Sequence, residues 1–430
     1  MRKLGLLAAA AAMLTTAMLT TGTARAADLT VWGLQAFNQA ADQYIGEMVK
    51  EFGRARNINA EYVVVPANVL NDRLAASFQG GAPPDVFMQV SARAQFYIGN
   101  NLVVPLDDVL AEIRKVEGGI VENQLAAGRA GDTIQALPLE VDVDPMFVRK
   151  DLLEEIGKPV PRTWDELREA ARLIQAKHPQ ISGFGMTVSN SNDAEGQIRN
   201  AIWSFGGEVM AADGKTVVFN SPETRAAYQF VADMFLKDRT IPRAALTWDD
   251  SGNNIAYQTG RAAFVINPPS IWYWMVDNDK TLLANSVMVS VPRGPGPKGR
   301  IGNAVGSWVW QVSRAGKHQD VAKDWLRYFY QPDHYRVVIE KVGGRWAPIF
   351  PRMFETLPLF AANPAFKDFK SLASEGFLDG FAGPPNVLSG KVYDANILTK
   401  VLQKVLVDRV SVEDAVAWGQ AEIDKLGKGG

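Results

Sequence analysis

The sequence predicts an α/β fold built in two domains. Two observations point there. Segments that read as strands alternate with segments that read as helices, the pattern of α/β layers with buried, mostly parallel strands. The 430 residues also contain no cysteine. A chain without disulfides must be held by its hydrophobic cores, and about 400 residues divide most readily into two domains.

The first 26 residues read as a leader. Arg2 and Lys3 give a positive start, Leu4 to Leu14 is almost wholly apolar, and Ala24-Arg25-Ala26 supplies small residues at the spacing a signal peptidase reads. Cleavage is expected after Ala26. The apolar run is too short to span a bilayer comfortably, and no later segment approaches the roughly 20 residues a span requires.

Beyond the leader, Leu29 to Trp32 reads as a strand and Phe37 to Arg56 as a helix ending near Asn57. Ala60 to Val65 is a β-branched strand closed by Pro66. A helix through Arg73 and Leu74 runs into Gly80-Gly81-Ala82-Pro83-Pro84, a strong breaker cluster, and Asp85 to Gln89 follows as a short strand. Thr163-Trp164-Asp165-Glu166 is a capping box, and Ser221-Pro222 starts a helix with Ser as cap and Pro in the first turn. Ala262 to Ile266, Val287 to Val291 and Ser307 to Val312 read as strands, Arg293 to Gly299 as an exposed loop, and His318 to Tyr330 as a helix. In the tail, Ile397, Leu398, Val401, Leu402, Val405 and Leu406 form one apolar stripe that reads as core, and Ser411 caps a last helix with Asp414 three positions on.

Charge and composition exclude several functions. The formal net charge is −2, and loss of Arg2, Lys3 and Arg25 with the leader makes it −5. A mildly acidic chain has no electrostatic footprint for nucleic acid or anionic lipid. The three histidines, His178, His318 and His334, lack metal-ligand spacing, and there is neither a Gly-x-Ser-x-Gly elbow nor a phosphate loop. No enzyme chemistry, metal or cofactor is therefore expected. Without cysteine there is also no acceptor for a lipid anchor. Leader and composition together predict a released periplasmic protein.

An ordered series of motifs runs through the rest of the chain. Gly80-Gly81-Ala82-Pro83-Pro84-Asp85-Val86 is followed by Leu137-Pro138 and Lys150-Asp151-Leu152. Pro161-Arg162-Thr163-Trp164-Asp165-Glu166-Leu167 and Gly206-Gly207 with Asp213-Gly214 come next. Thr259-Gly260-Arg261-Ala262-Ala263-Phe264, Val291-Pro292-Arg293-Gly294-Pro295 and Ala322-Lys323-Asp324-Trp325-Leu326 complete it. In this order they resemble the extracellular solute-binding proteins of ABC importers, in the branch of maltose and multiple-sugar binders. The resemblance implies a two-lobed periplasmic-binding-protein fold of type II, with a ligand cleft between lobes joined by crossing hinge strands. It implies lobe one at 27–141 plus 305–344 and lobe two at 142–304 plus 345–430. The crossovers fall near Asp142 and near Gly302-Asn303-Ala304.

A sugar has apolar C–H faces and a rim of hydroxyls, so its site needs flat aromatics and fixed polar partners. The chain has 11 Trp. Trp164, Trp325 and Trp418 sit in amphipathic helices and read as core. Trp32, Trp248, Trp272, Trp274, Trp308 and Trp346 are cleft candidates, with Trp310 open to either reading. Among polar groups, Asp142 matches a sugar-binding carboxylate at the family's first crossover, and Glu140 and Asp144 share its strand face. Gln35, Gln89 and Ser91 follow strands that line the cleft in relatives. Arg345 precedes Trp346 and reads either as a ligand contact or as a salt bridge at the lobe edge. Asn267 and Ser307 complete the set. Asp142 and Ala304 are the expected hinge positions, and Asp142→Ala is expected to abolish binding without affecting the unliganded fold.

The function implied is capture of a carbohydrate by lobe closure and delivery to a membrane permease, as a monomer. Two alternatives stay open: a binder of a cationic ligand such as a polyamine, and a secreted glycosidase or lyase using paired carboxylates.

Overall fold

A computed structural model describes residues 27–36 and 38–428. The leader with its expected cleavage site, and the expected helix start at Phe37, lie outside the described residues.

The first sheet has five strands in the order Ala60–Val65, Leu29–Leu34, Val86–Val90, Trp308–Val312, Leu137–Pro138. Its centre is covered on both faces, so Leu29, Val31 and Leu34 on one strand and the consecutive Val86, Phe87 and Met88 on the next are all buried. Gly33 permits the close packing of Tyr62 on its neighbour, since a Cβ there would fall 1.9 Å from the tyrosine hydroxyl. The helix Gln39–Arg56 starts where the Asn38 side chain accepts the Ala40 and Ala41 N–H groups, and ends at Asn57 in the left-handed conformation (φ 54°).

The second sheet has four strands, Ser286–Val289, Met146–Arg149, Ala262–Ile266 and Ser182–Phe184. The helix Trp164–Lys177 covers it, and its capping box forms as expected. Thr163 Oγ1 accepts the Glu166 N–H at 3.2 Å, while the Glu166 carboxylate accepts the Thr163 N–H at 3.1 Å. Thr163→Ala is expected to lower stability by about 1 kcal/mol, read as a shift of the denaturation midpoint at unchanged slope. The tail stripe from Ile397 to Leu406 is buried in the core of this half, as its spacing predicts.

The strands are not mostly parallel. Leu29–Leu34 pairs in parallel with both its neighbours, but Trp308–Val312 runs antiparallel to Val86–Val90 and to Leu137–Pro138. Met146–Arg149 is likewise antiparallel to both of its partners. The cause is the path of the chain. A strand that arrives from the other half enters its sheet from the opposite end to those made by local strand–helix–strand units.

The two sheets are connected by a short ladder in which Asp142–Val143 pairs antiparallel with Val305–Gly306. A third segment joins them: the Val305 N–H donates to the Phe377 carbonyl at 2.9 Å, and the Phe377 N–H to that of Asn303 at 2.9 Å. The sequence pattern did not announce this third crossing. It changes the expected division of the chain, because residues after 344 do not all pack with the second sheet. Ala347 exchanges two backbone hydrogen bonds with Val141. Trp346, Ile349 and Phe350 bury in the core that includes the first sheet, where Phe350 meets the ring of Tyr335 at 4.8 Å, while Phe366 lies beside Ser286–Val289 of the second sheet and against Trp272. Only beyond Phe377 does the tail join the second core.

Candidate functional site

Where the ladder joins the halves, three adjoining cavities form one cleft. The central one encloses about 180 Å3 and an outer one about 640 Å3, sharing Asn71, Arg93, Asn192 and Asp250 as walls. An inner one of about 110 Å3 shares Asp142, Asp144, Gly196 and Trp308 with the central cavity and reaches the ladder at Ala304 and Val305. Strand ends and helix starts supply the walls, as at the open edge of other α/β sheets.

Of the expected ligand residues, Gln89, Asp142, Asn267, Trp308 and Arg345 line the central cavity. Gln35 and Trp248 line the outer one, and Ser91 and Ser307 the inner one. Four tryptophans line none of the three. Trp346 is fully buried beneath Trp308, edge-on at 5.2 Å, because its segment packs into the first core. Trp272 meets the edge of Phe366 at 5.7 Å, Trp274 packs on the same core, and Trp32 lies under the Arg73 guanidinium. Trp164, Trp325 and Trp310 are fully buried. Trp310 packs against Phe329 at 5.5 Å, two residues deeper along the strand than Trp308.

The polar walls are held in place by their neighbours. Gln89 donates to Asn71 Oδ1 at 3.0 Å and accepts the Val90 N–H at 2.8 Å. Asn267 accepts from Asn253 at 3.0 Å and donates to Ser270 Oγ at 3.0 Å. Arg345 forms a two-point ion pair with Asp142, at 2.6 and 3.3 Å, and its guanidinium lies 5.7 Å from the centre of the Trp308 ring. Of the two readings of Arg345, the salt bridge is therefore formed, but inside the cleft and not at an outer edge.

Carboxyl groups dominate the electrostatics. Glu140 is fully buried and accepts the Trp308 N–H at 2.7 Å, which fixes the start of that strand. Burial, then the charge of Asp142, hold its pKa well above the ordinary carboxylate range. Burial pushes Asp144 up to about 8, with Asp142 adding to the effect and Arg345 opposing it. Asp193 accepts from the neutral side chains of Thr187 (3.0 Å), Gln197 (2.6 Å) and Asn253 (2.8 Å), and burial raises it strongly. Asp250 accepts the Asp193 N–H at 3.1 Å and is raised by burial too.

Sequence reasoning missed Asn71, Arg93, Asn192, Asp193 and Tyr393 as cleft walls. A polar run, Ser189 to Asp193, leading into the first turn of the helix Asn192–Ser204 was an available signal. Arg93 carried none, because its ion partner Asp394 (2.8 Å) lies 301 residues away. Among the described residues there is no group of three or more His, Cys, Asp or Glu arranged to hold a metal ion, and no helix long and apolar enough to cross a membrane.

Buried amides, carboxyls and a guanidinium beside the faces of Trp308 and Tyr393 suit a small ligand with both apolar faces and hydroxyls. Comparison with known proteins agrees with the architecture. The family model for bacterial extracellular solute-binding proteins matches residues 36–335. A probable ABC transporter-binding protein of Deinococcus radiodurans is 24% identical over 274 residues, 59% of this chain and 63% of the relative; the chain thus spans under two thirds of that relative's length. Among solved structures, maltose-bound MalE3 of T. maritima superposes with a TM-score of 0.79 at 22% identity, covering 93% of this chain and 99% of that one. A sugar transporter from Arthrobacter chlorophenolicus A6 with bound laminaribiose gives 0.79 at 17% identity, covering 92% and 98%. The fold is thus the two-lobed one of periplasmic binding proteins, and the chain belongs to the bacterial extracellular solute-binding protein family.

Proposed function

We propose that this protein captures a carbohydrate in the cleft and delivers it to the permease of an ABC importer. One observation carries the reading: prearranged hydrogen-bonding side chains surround the rings of Trp308 and Tyr393 where two lobes meet across a short ladder. The outer cavity, about 640 Å3, falls within the roughly 300–1,000 Å3 typical of small-molecule sites. The similar structures carrying maltose and laminaribiose support a sugar.

The lobes correspond to the two sheets with their helices, and the crossings at Asp142, Ala304 and Phe377 act as the hinge. A ligand touching both lobes binds the closed arrangement better and shifts the population toward it. The protein has no catalytic role, works as a monomer in the periplasm after cleavage at Ala26, and carries no lipid anchor. A second reading, an amine-bearing ligand, is favoured by Asp144, Asp193 and Asp250, for which no ion pair with a basic side chain forms among the described residues.

A thermal-shift screen over mono- and oligosaccharides, polyols, sugar acids and polyamines tests these readings. A sugar at about 100 times its dissociation constant is expected to stabilise by about 2.7 kcal/mol. A response to polyamines alone overturns the carbohydrate reading, and turnover of any glycan overturns the receptor reading.

A further inference from the structure

Away from the ladder, the two halves touch along a seam between two helices. The helix Ser91–Gly99 belongs to the first half, where its Tyr97 packs on Phe87 at 5.0 Å. The helix Val387–Asp394 belongs to the second, where its Val392 is buried in the second core. The two helices pack directly on each other. A glycine permits the close approach at each end of the seam. A Cβ on Gly99 would fall 2.6 Å from a methyl of Val387, and one on Gly390 would fall 3.0 Å from the Ala92 carbonyl oxygen. Both glycines are helical and neither has a positive φ, so the missing side chain serves the approach and not a turn.

Charge fastens the end of the seam that borders the cleft. Arg93 Nε donates to Asp394 Oδ1 at 2.8 Å, with the arginine side chain 8% exposed and the aspartate 53%. The same guanidinium lies 5.4 Å from the centre of the Tyr393 ring, and that of Arg199 lies 5.0 Å from it. Arg93 and Tyr393 both line the central cavity.

From this geometry we infer that the seam is a latch of the shut arrangement, fastened by Arg93 and Asp394. The inference rests on lobe closure as proposed above and holds whichever ligand the cleft takes. Arg93 walls the outer cavity opposite Asn192 and Asp250 of the second half. A rotation that widens that cavity carries Arg93 away with one half and Asp394 with the other. Opening therefore breaks the pair, parts the two helices and brings the buried guanidinium into water. The latch keeps part of the unliganded population shut, and a protein already shut binds with less of its affinity spent on closing. A ligand between Arg93 and Tyr393 meets both sides of the seam, so ligand and latch favour the same arrangement. Asp394 and Gly390 then set affinity through closure.

Distances between the halves of the unliganded protein test the latch. The chain has no cysteine, so Ala76→Cys and Ala244→Cys, exposed positions one on each half, take spin labels at those two sites alone. Pulsed electron resonance then reads the shorter and longer separations. In Asp394→Asn the share of the longer separation is expected to rise about threefold, as suits a pair half open to water. Gly390→Ala is expected to act in the same direction by forcing the helices apart, although alanine is the better helix former, so the helix itself is not weakened. Salt at about 0.5 M is expected to lengthen the separation in the unaltered protein and not in Asp394→Asn, because it screens the pair. The same distribution in all three proteins overturns the latch and leaves the carbohydrate reading untouched. A salt response as large in Asp394→Asn as in the unaltered protein overturns the ion pair as its fastener.

Discussion

Arg345→Ala lowers the unfolding free energy of the unliganded protein by about 3–5 kcal/mol, the usual cost of breaking a buried ion pair from one side. Arg345 is the basic side chain that joins Asp142 at two points, and its charge also opposes the raised pKa values of Glu140 and Asp144. Removing it leaves three carboxyl groups close together, Glu140 fully buried and Asp142 and Asp144 partly so. It also takes the guanidinium from beside Trp308. Chemical denaturation without ligand measures the effect, and a loss below about 1 kcal/mol would show that the pair is solvated and structurally idle. The same geometry revises the expectation for Asp142→Ala. Sequence alone makes Asp142 a ligand contact whose loss spares the fold. Joined to Arg345, its removal strands a buried guanidinium, so the unliganded protein is destabilised as well. The double variant Asp142→Leu with Arg345→Met is expected to cost less than the two single changes added together, the signature of direct coupling.

Unliganded protein also loses stability as pH rises from 5 to 8.5. Asp144 keeps its proton up to about pH 8 in the folded state, and Asp42, half-buried near the start of the first long helix, up to about 6. Glu140 and Asp193 are also held well above the ordinary carboxylate range by burial. In the unfolded chain these groups release their protons near pH 4. Over the interval between, the folded state binds more protons than the unfolded, so the slope of stability against pH is negative. Each such proton removes about 1.4 kcal/mol per pH unit. Carboxylates held low, such as Asp213 at about 2, act only below this window. The melting temperature is therefore expected to drop by about 5 °C or more between pH 5 and 8.5. Asp144→Asn, which mimics the protonated form, flattens the profile and stabilises the protein at pH 8.5. A level melting curve across the window in the unaltered protein contradicts the assignment of buried, protonated carboxyls.

How much was legible in the sequence depended on the distance over which each signal acts. The strand Ala60–Val65, the Thr163 capping box and the stripe from Ile397 to Leu406 appear where the sequence places them. Each is set by side chains within a few residues of one another. The ordered motifs led to the right family; Gln89, Asp142, Asn267 and Trp308 were identifiable as cleft residues because they sit at strand ends or at a crossing, and Arg345 because it follows two glycines and precedes Trp346 in a region the family aims at the cleft. Tryptophan was a poorer guide. Trp308 and Trp346 look alike in the chain, yet one faces the cleft and the other lies under it.

By itself, then, the sequence determined the alternation of elements, the helix caps and the family. Tertiary structure alone decided three things. It set the third crossing at Phe377 and packed Trp346, Ala347, Ile349 and Phe350 with the first half, through backbone hydrogen bonds from Ala347 to Val141 and from Val121 to Ile349. It joined Arg345 to Asp142 and Arg93 to Asp394, pairs separated by 203 and 301 residues. And it gathered Ser307, Trp203 and Asp144 among the walls of one cavity. Local preference acts through neighbouring backbone and side chains, so it is written in short stretches of sequence. Which distant groups meet, and which are left without water, follows only once the two halves fold against each other.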